Sequence, residues 1–259
     1  MTGVLEAALR AKRAAGRKLL VPYLTGGYPG WADAVRAVVA NGADAVEIGI
    51  PFSDPVMDGP VIQAASQCAL DAGATPTSVL DEAADLDVDV PLVAMTYYNL
   101  AFHAGHERFA ASLRRGGIVG CILPDLPLEE AGPWAAAADD AGVDTVLLAA
   151  PTAPDERLPR ICARSRGFVY AVGLLGVTGE RDRLASTALV LAARLKAVTD
   201  LPVLVGVGVS NAQQAAEAVQ VADGVIMGAA VVRRFMEGGA DAAGAFVAEV
   251  RAGLDATPA

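Results

Sequence analysis

Eight short, almost uninterrupted apolar runs recur along the chain with helix-forming segments between them, and this alternation sharply limits what the chain can fold into. The runs lie at residues 19–24, 45–48, 92–96, 121–123, 145–149, 168–171, 203–205 and 225–227. A strand that is apolar on both faces suits a parallel sheet covered by helices, not a half-exposed antiparallel one. The segments between carry helix punctuation. The stretch 31–40 ends at Asn41-Gly42, 61–71 at Gly73 and 128–141 at Gly142, with glycine at the position past a helix end. Ser210-Asn211 stands before 212–219 as an N-cap. Eight strand–helix units, preceded by an extra helix over 2–15, predict an α/β fold: one (βα)8 TIM barrel filling 1–259 as a single domain. An open doubly wound sheet is the alternative, but eight equal units favour closure. No linker, low-complexity tract or internal sequence repeat divides the chain.

Composition removes whole classes of function. With 30 acidic against 20 basic residues and a net charge of −10, there is no basic stripe for nucleic acid or an anionic membrane. Three cysteines, Cys68, Cys121 and Cys162, fit neither a disulfide framework nor metal spacing, and point to buried thiols in a reducing cytoplasm. The first residues carry Glu6, Arg10, Lys12 and Arg13, so no signal peptide is expected. No uncharged apolar run reaches the roughly 20 residues of a membrane span.

The stretch after the second run, Glu47-Ile48-Gly49-Ile50-Pro51-Phe52-Ser53-Asp54-Pro55-Val56-Met57-Asp58-Gly59-Pro60, sets two carboxylates around a proline-punctuated loop. Glu47 sits at an apolar strand end, where an unpaired charge is costly and the pKa rises. Asp58, on the loop, is expected to be wetter and to stay ionised. Two acids pushed apart in pKa form an acid/base pair. Taken singly, Glu47 reads equally well as a satisfied core acid and Asp58 as a turn aspartate. In a barrel, however, both fall at the C-terminal ends of the strands, where active sites form. Tyr97, Asp125 and Tyr170 fall there too, although the tyrosines also suit simple packing at the rim.

Three glycine-bearing elements follow the last three strands: Gly176-Val177-Thr178-Gly179, Gly206-Val207-Gly208-Val209-Ser210 and Gly228-Ala229. Glycines let backbone N–H groups approach an anion, and a helix N-terminus adds its dipole, so a phosphate site is expected here. The lysines Lys12, Lys18 and Lys196 all lie away from strand C-terminal ends, which disfavours a Schiff base. His103 and His106, read as lying on a solvated loop after the third strand, make a poor metal site, and no metal is expected. Carboxylate proton transfer on a phosphorylated small molecule remains.

The segment EIGIPFSDPVMDGPVIQ (47–63) closely resembles the signature of tryptophan synthase α subunits. The agreement extends through PYLTGGYPG (22–30), MTYYN (95–99), ILPDLP (122–127), GVTG (176–179) and VGVGVS (205–210), in order along nearly the whole chain. The resemblance implies a lyase: reversible retro-aldol cleavage of indole-3-glycerol phosphate to indole and glyceraldehyde 3-phosphate, at the last stage of tryptophan biosynthesis. It implies Glu47 and Asp58 as the catalytic residues, Glu47 protonating ring carbon C3 and Asp58 accepting the indole N–H. Tyr170 would line the site and help position Glu47, and Tyr23 and Tyr97 match positions near the indole pocket. Gly179, Gly208, Gly228 and Ala229 would hold the phosphate, with Thr178 and Val207 beside them as substrate-binding positions. The loops 51–57 and 181–184 would gate the site and face a β subunit in an α2β2 complex, with Val56 and Met57 either exposed toward it or packed over the barrel mouth. Pyridoxal phosphate would belong to that partner, and this chain would need no cofactor of its own.

Two residues depart from the family pattern. Ala229 stands where a serine is usual, removing one hydroxyl from the phosphate site, and Gly173 replaces another serine near the gating loop. A lost hydrogen bond to a charged group costs roughly 1.5–3 kcal/mol. The resemblance therefore leaves open a stand-alone lyase that releases free indole, or a weakly active homologue that binds and activates the β subunit. A phosphate-sugar isomerase on the same barrel is a further alternative.

Overall fold

In a computed structural model, described over residues 2–173, 186–206 and 208–257, eight parallel strands close into a barrel in sequence order. They are β1 (Leu19–Thr25), β2 (Val46–Gly49), β3 (Leu92–Met95), β4 (Ile118–Ile122), β5 (Asp144–Ala149), β6 (Val169–Val172), β7 (Val203–Gly206) and β8 (Gly224–Met227). β8 pairs with β1 through Leu19↔Gly224 to Pro22↔Met227, and this pairing closes the ring. Around it run α1 (Val4–Ala14), α2 (Trp31–Ala40), α3 (Pro60–Asp71), α4 (Pro76–Ala84), α5 (Tyr98–Ala104), α6 (His106–Arg115), α7 (Gly132–Ala141), α8 (Leu158–Arg164), α9 (Ser186–Lys196), α10 (Ala212–Ala218) and α11 (Ala229–Asp255). The TIM barrel read from the strand pattern is the fold found.

Each strand is apolar on both faces for a separate reason. Along β1, Leu19 and Val21 join the cluster inside the barrel, while Leu20 and Leu24 pack outward with the helices. The inner cluster is completed from below by α1, whose Leu5 and Leu9 are fully buried in it. β4 starts three residues before the predicted 121. Gly120 lies inside the strand, where a side chain would collide with Leu5. The helix predicted over 128–141 begins only at Gly132. Residues 127–131 form successive turns, with Glu130 N–H donating to Pro127 O (3.0 Å), and Pro133 starts the helix.

The N-terminal face of the barrel is tied by charge. Asp44 is fully buried and accepts hydrogen bonds from Leu20 N–H (2.9 Å) and Arg17 Nε (2.6 Å). Lys12 Nζ (3.1 Å) and an Arg251 terminal nitrogen (3.2 Å) complete its shell. One carboxylate thus joins α1, the β1–β2 base and α11. Glu6 N–H donates to Asp144 (3.0 Å), and Lys196 and Arg13 meet at Asp223 (2.8 and 3.3 Å), pinning α1 and α9 to the same face.

Removing one member of a buried ionic cluster leaves the others unpaired, which costs about 3–5 kcal/mol. Lys12 and Arg17 are about one-third exposed, so water recovers part of that cost. Asp44→Ala should therefore lower unfolding free energy by about 3 kcal/mol, read as a reduced urea midpoint at unchanged m-value.

Candidate active site

The opposite end of the barrel carries the cavity. Tyr23 on β1 and Glu47 on β2 are register partners, so both point inward at the same level. Glu47 is 1% exposed and its Oε2 accepts no hydrogen bond. Burial, with the Asp58 charge adding to it, pushes its carboxyl up to about 8. Asp58 lies on the turn before α3, fixed by its own N–H to Pro55 O (3.2 Å) and by Gln63 Nε2 donating to its carbonyl (2.7 Å). Gly59 in extended conformation and Pro60 at the first helical position set where that turn stops.

Asp58 is not the wetter group the loop suggested. It is 5% exposed, and burial raises its carboxyl to about 6 against the lowering effect of a hydrogen bond with Tyr97. The cover comes from the loop itself. Phe52 stacks on Tyr97 with centroids 5.2 Å apart, and the Tyr97 phenol accepts the Met57 N–H (2.9 Å). At neutral pH, Glu47 is mainly the acid and Asp58 mainly the carboxylate.

Two tyrosines complete this end, each leaning over a glycine of the next strand. A side chain on Gly49 would overlap the Tyr23 phenol, and one on Gly206 would overlap the Tyr170 phenol. Burial raises both phenols, with Asp58 and Glu47 adding to it for each, which places the four groups in one field. Gly206 thus makes room for Tyr170.

Gly208, Gly228 and Ala229 line the same cavity as Glu47 and Asp58. Gly208 has φ 93° and Gly228 caps α11, which has no side-chain cap. Val232 N–H, bonding to Gly228 O (3.0 Å), is the first amide used within that helix, so the amides of Ala229, Ala230 and Val231 stand at an open N-terminus. The remaining wall is apolar and includes Ile62, Met95, Ile122, Leu148, Val172 and Ile226. Sequence reasoning took most of these for strand core. The signal was parity, since inward positions nearest each strand's C-terminal end face the cavity. Thr178, Gly179, Val207 and the 181–184 segment lie outside the described residues.

Several expected members stand elsewhere. Tyr97 sits two residues past β3 and reaches the site through Asp58, its phenol turned to Met57 and Asp58. Asp125 accepts the Tyr98 N–H (2.8 Å) at the start of α5. Met57 is half-buried and reaches the cavity, whereas Val56 is 75% exposed. His103 and His106 belong to helices α5 and α6, not to a loop, and His106 Nε2 meets the Tyr98 hydroxyl at 2.9 Å. Among the described residues no His/Cys/Asp/Glu group has metal-site geometry, and no helix is long and apolar enough to cross a membrane.

The profile of the tryptophan synthase alpha chain family matches residues 9–253. The tryptophan synthase alpha chain of Thermobifida fusca is 48% identical over 241 residues, covering 90% of this chain and 89% of its own. That of Streptomyces coelicolor is 46% identical over 246 residues, covering 93% and 91%. Among solved structures, Mycobacterium tuberculosis tryptophan synthase in space group F222 aligns at TM-score 0.91 and 39% identity, over 98% of this chain and 99% of that one.

Burying two carboxyls makes stability depend on pH in a defined direction. Both folded pKa values lie above the ordinary ones, so the folded state holds more protons. The resulting stability is complete below about 4 and is lost as pH rises through about 6 and about 8. Glu47→Gln keeps a neutral group of the same shape and removes the upper part of that loss. At pH 9 it should unfold at higher urea than the wild type, by roughly 2–4 kcal/mol, and near pH 4 the two should coincide.

Proposed function

The chain belongs to the tryptophan synthase alpha chain family, an enzyme family of tryptophan synthesis, and on that footing we propose that it cleaves indole-3-glycerol phosphate to indole and glyceraldehyde 3-phosphate. One observation carries this reading. Two carboxyls with pKa values on either side of neutrality share an apolar cavity that runs to an uncapped helix N-terminus.

In this reading the amides of Gly208, Gly228 and Ala229 and the start of α11 take the phosphate, since oriented N–H groups and the helix dipole suit an anion without a lysine. The indole ring lies against the apolar wall. Protonated Glu47 gives its proton to ring carbon C3, forming an indolenine with a C=N bond. The Asp58 carboxylate accepts the ring N–H and stabilises the positive charge that develops there. Glu47, now ionised, takes the proton of the hydroxyl on the carbon next to the ring. That oxygen's electrons form the aldehyde C=O, the C–C bond pair moves into the ring to restore indole, and Glu47 ends protonated. The ring itself is the electron sink, so no cofactor is required; pyridoxal phosphate is assigned to the β partner. We place the reaction in the cytoplasm, in keeping with three free cysteines.

The β subunit is proposed to dock on the mouth beside the cavity, where Val56 is 75% and Phe102 65% exposed. Ala229 favours a second reading, a weak lyase kept to activate that partner, because its methyl cannot donate to phosphate. Indole release measured with and without a β subunit separates the two.

Glu47→Gln and Asp58→Asn should each reduce indole release from indole-3-glycerol phosphate at least 1,000-fold, of the order seen when a general acid or base is lost, while the far-UV circular dichroism spectrum is unchanged. Wild-type turnover in either variant contradicts the assigned roles. For the free enzyme, kcat/KM should fall below about 6 as Asp58 protonates and above about 8 as Glu47 ionises.

A further inference from the structure

Tyr23 is a stretch of cavity wall that touches both chemical ends. Its main chain lies beside Glu47 in register, and its phenol rests on Gly49 at the acid end. Its Cβ, Cγ and Cδ1 stand 3.8, 3.9 and 4.0 Å from the point a side chain on Gly228 would occupy, at the anion end. The ring therefore spans the interval between the phosphate grip and the carboxyl pair. Any ligand with a phosphate at one end and a reacting ring at the other must lay its connecting chain along Tyr23.

We infer that Tyr23 is a specificity-determining residue, whose hydroxyl hydrogen-bonds the hydroxylated chain joining heterocycle and phosphate. This rests on the lyase reading above and deepens it. Glu47 is engaged at the carbon next to the ring, which leaves the second chain hydroxyl without a carboxylate partner and within the span of the phenol. Burial first, and the Asp58 charge second, keep the phenol protonated throughout the working pH range, so it remains a donor. Gly49 makes room for the ring, and the Thr25 side chain approaches the phenol oxygen as a donor, which leaves the phenol's own O–H to donate elsewhere.

The test compares two ligands on wild type and Tyr23→Phe. One is indole-3-glycerol phosphate; the other is 3-(indol-3-yl)propyl phosphate, which keeps the ring, the three carbons and the phosphate but carries neither chain hydroxyl. Tyr23→Phe should lower kcat/KM for the substrate about 10- to 50-fold, the scale of one lost hydrogen bond. The dissociation constant of the deoxy analogue should stay within about twofold, because that ligand never used the hydroxyl. Equal weakening of both ligands would mean that Tyr23 only packs, and an unchanged kcat/KM would mean that the phenol meets nothing; either overturns the inference. If the wild-type chain binds the analogue but cleaves no substrate, the lyase reading itself fails, a result seen before any variant is made.

Discussion

Water is kept from the Glu47 carboxyl by the closing of eight strands around it, and the chemistry of the upper barrel follows from that exclusion. An acid in contact with solvent would lose its proton well below neutrality. Enclosed, with one oxygen unpartnered and Asp58 close by, Glu47 holds its proton up to about 8. The cost is borne by the rest of the fold, since an unsatisfied buried polar group takes kilocalories from a stability that is small in total. The glycines at 49 and 206 are part of the same arrangement. By having no side chains they admit two tyrosine rings, which fill the space that water would otherwise occupy beside the acids.

The two ends of the barrel divide the work. At the N-terminal face, Asp44, Asp144 and Asp223 gather cations and backbone amides from α1, α9 and α11, and every one of these carboxylates has its partners. At the C-terminal face, one Glu47 oxygen is left without a partner, Asp58 is held by Tyr97, and the helix that begins there, α11, has no side-chain cap. The base holds its buried carboxylates in ion pairs and hydrogen bonds, while the mouth leaves a carboxyl oxygen and a helix N-terminus open. Such unfilled bonding capacity is what a substrate with an anion at one end and an N–H at the other can complete. Tyr97 links the levels of this mouth. It holds the Met57 amide and the Asp58 carboxylate together, so the loop that covers the cavity and the acid inside it are one unit.

Much of this was legible in the chain. The strands showed themselves because a parallel barrel strand is apolar on both faces, and α2 was found at its predicted bounds because Asn41-Gly42 marks its end. Glu47 stood out as an acid in an apolar strand. What the sequence concealed were contacts between distant segments. The strand was placed at 121–123 and so missed Gly120, whose packing neighbour Leu5 is 115 positions away. Asp58 looked wet because its cover, Tyr97, arrives from another strand. Asp44 gave no sign of its role, since its partner Arg251 lies 207 residues later. The apolar wall of the cavity was hidden for a different reason: Ile122 and Ile226 have the same composition and parity as the core below them, and only their height in the barrel separates lining from packing.

The central physical claim is that Glu47 remains protonated through neutral pH while Asp58 does not. Carbon-13 labelling of the side-chain carboxyls, with Glu47→Gln and Asp58→Asn used to assign the two resonances, reads each protonation state directly in the substrate-free protein. The account predicts midpoints near 8 for Glu47 and near 6 for Asp58. A Glu47 resonance that titrates near 4.5, the ordinary value for a glutamate, would show that water reaches it and would contradict the account.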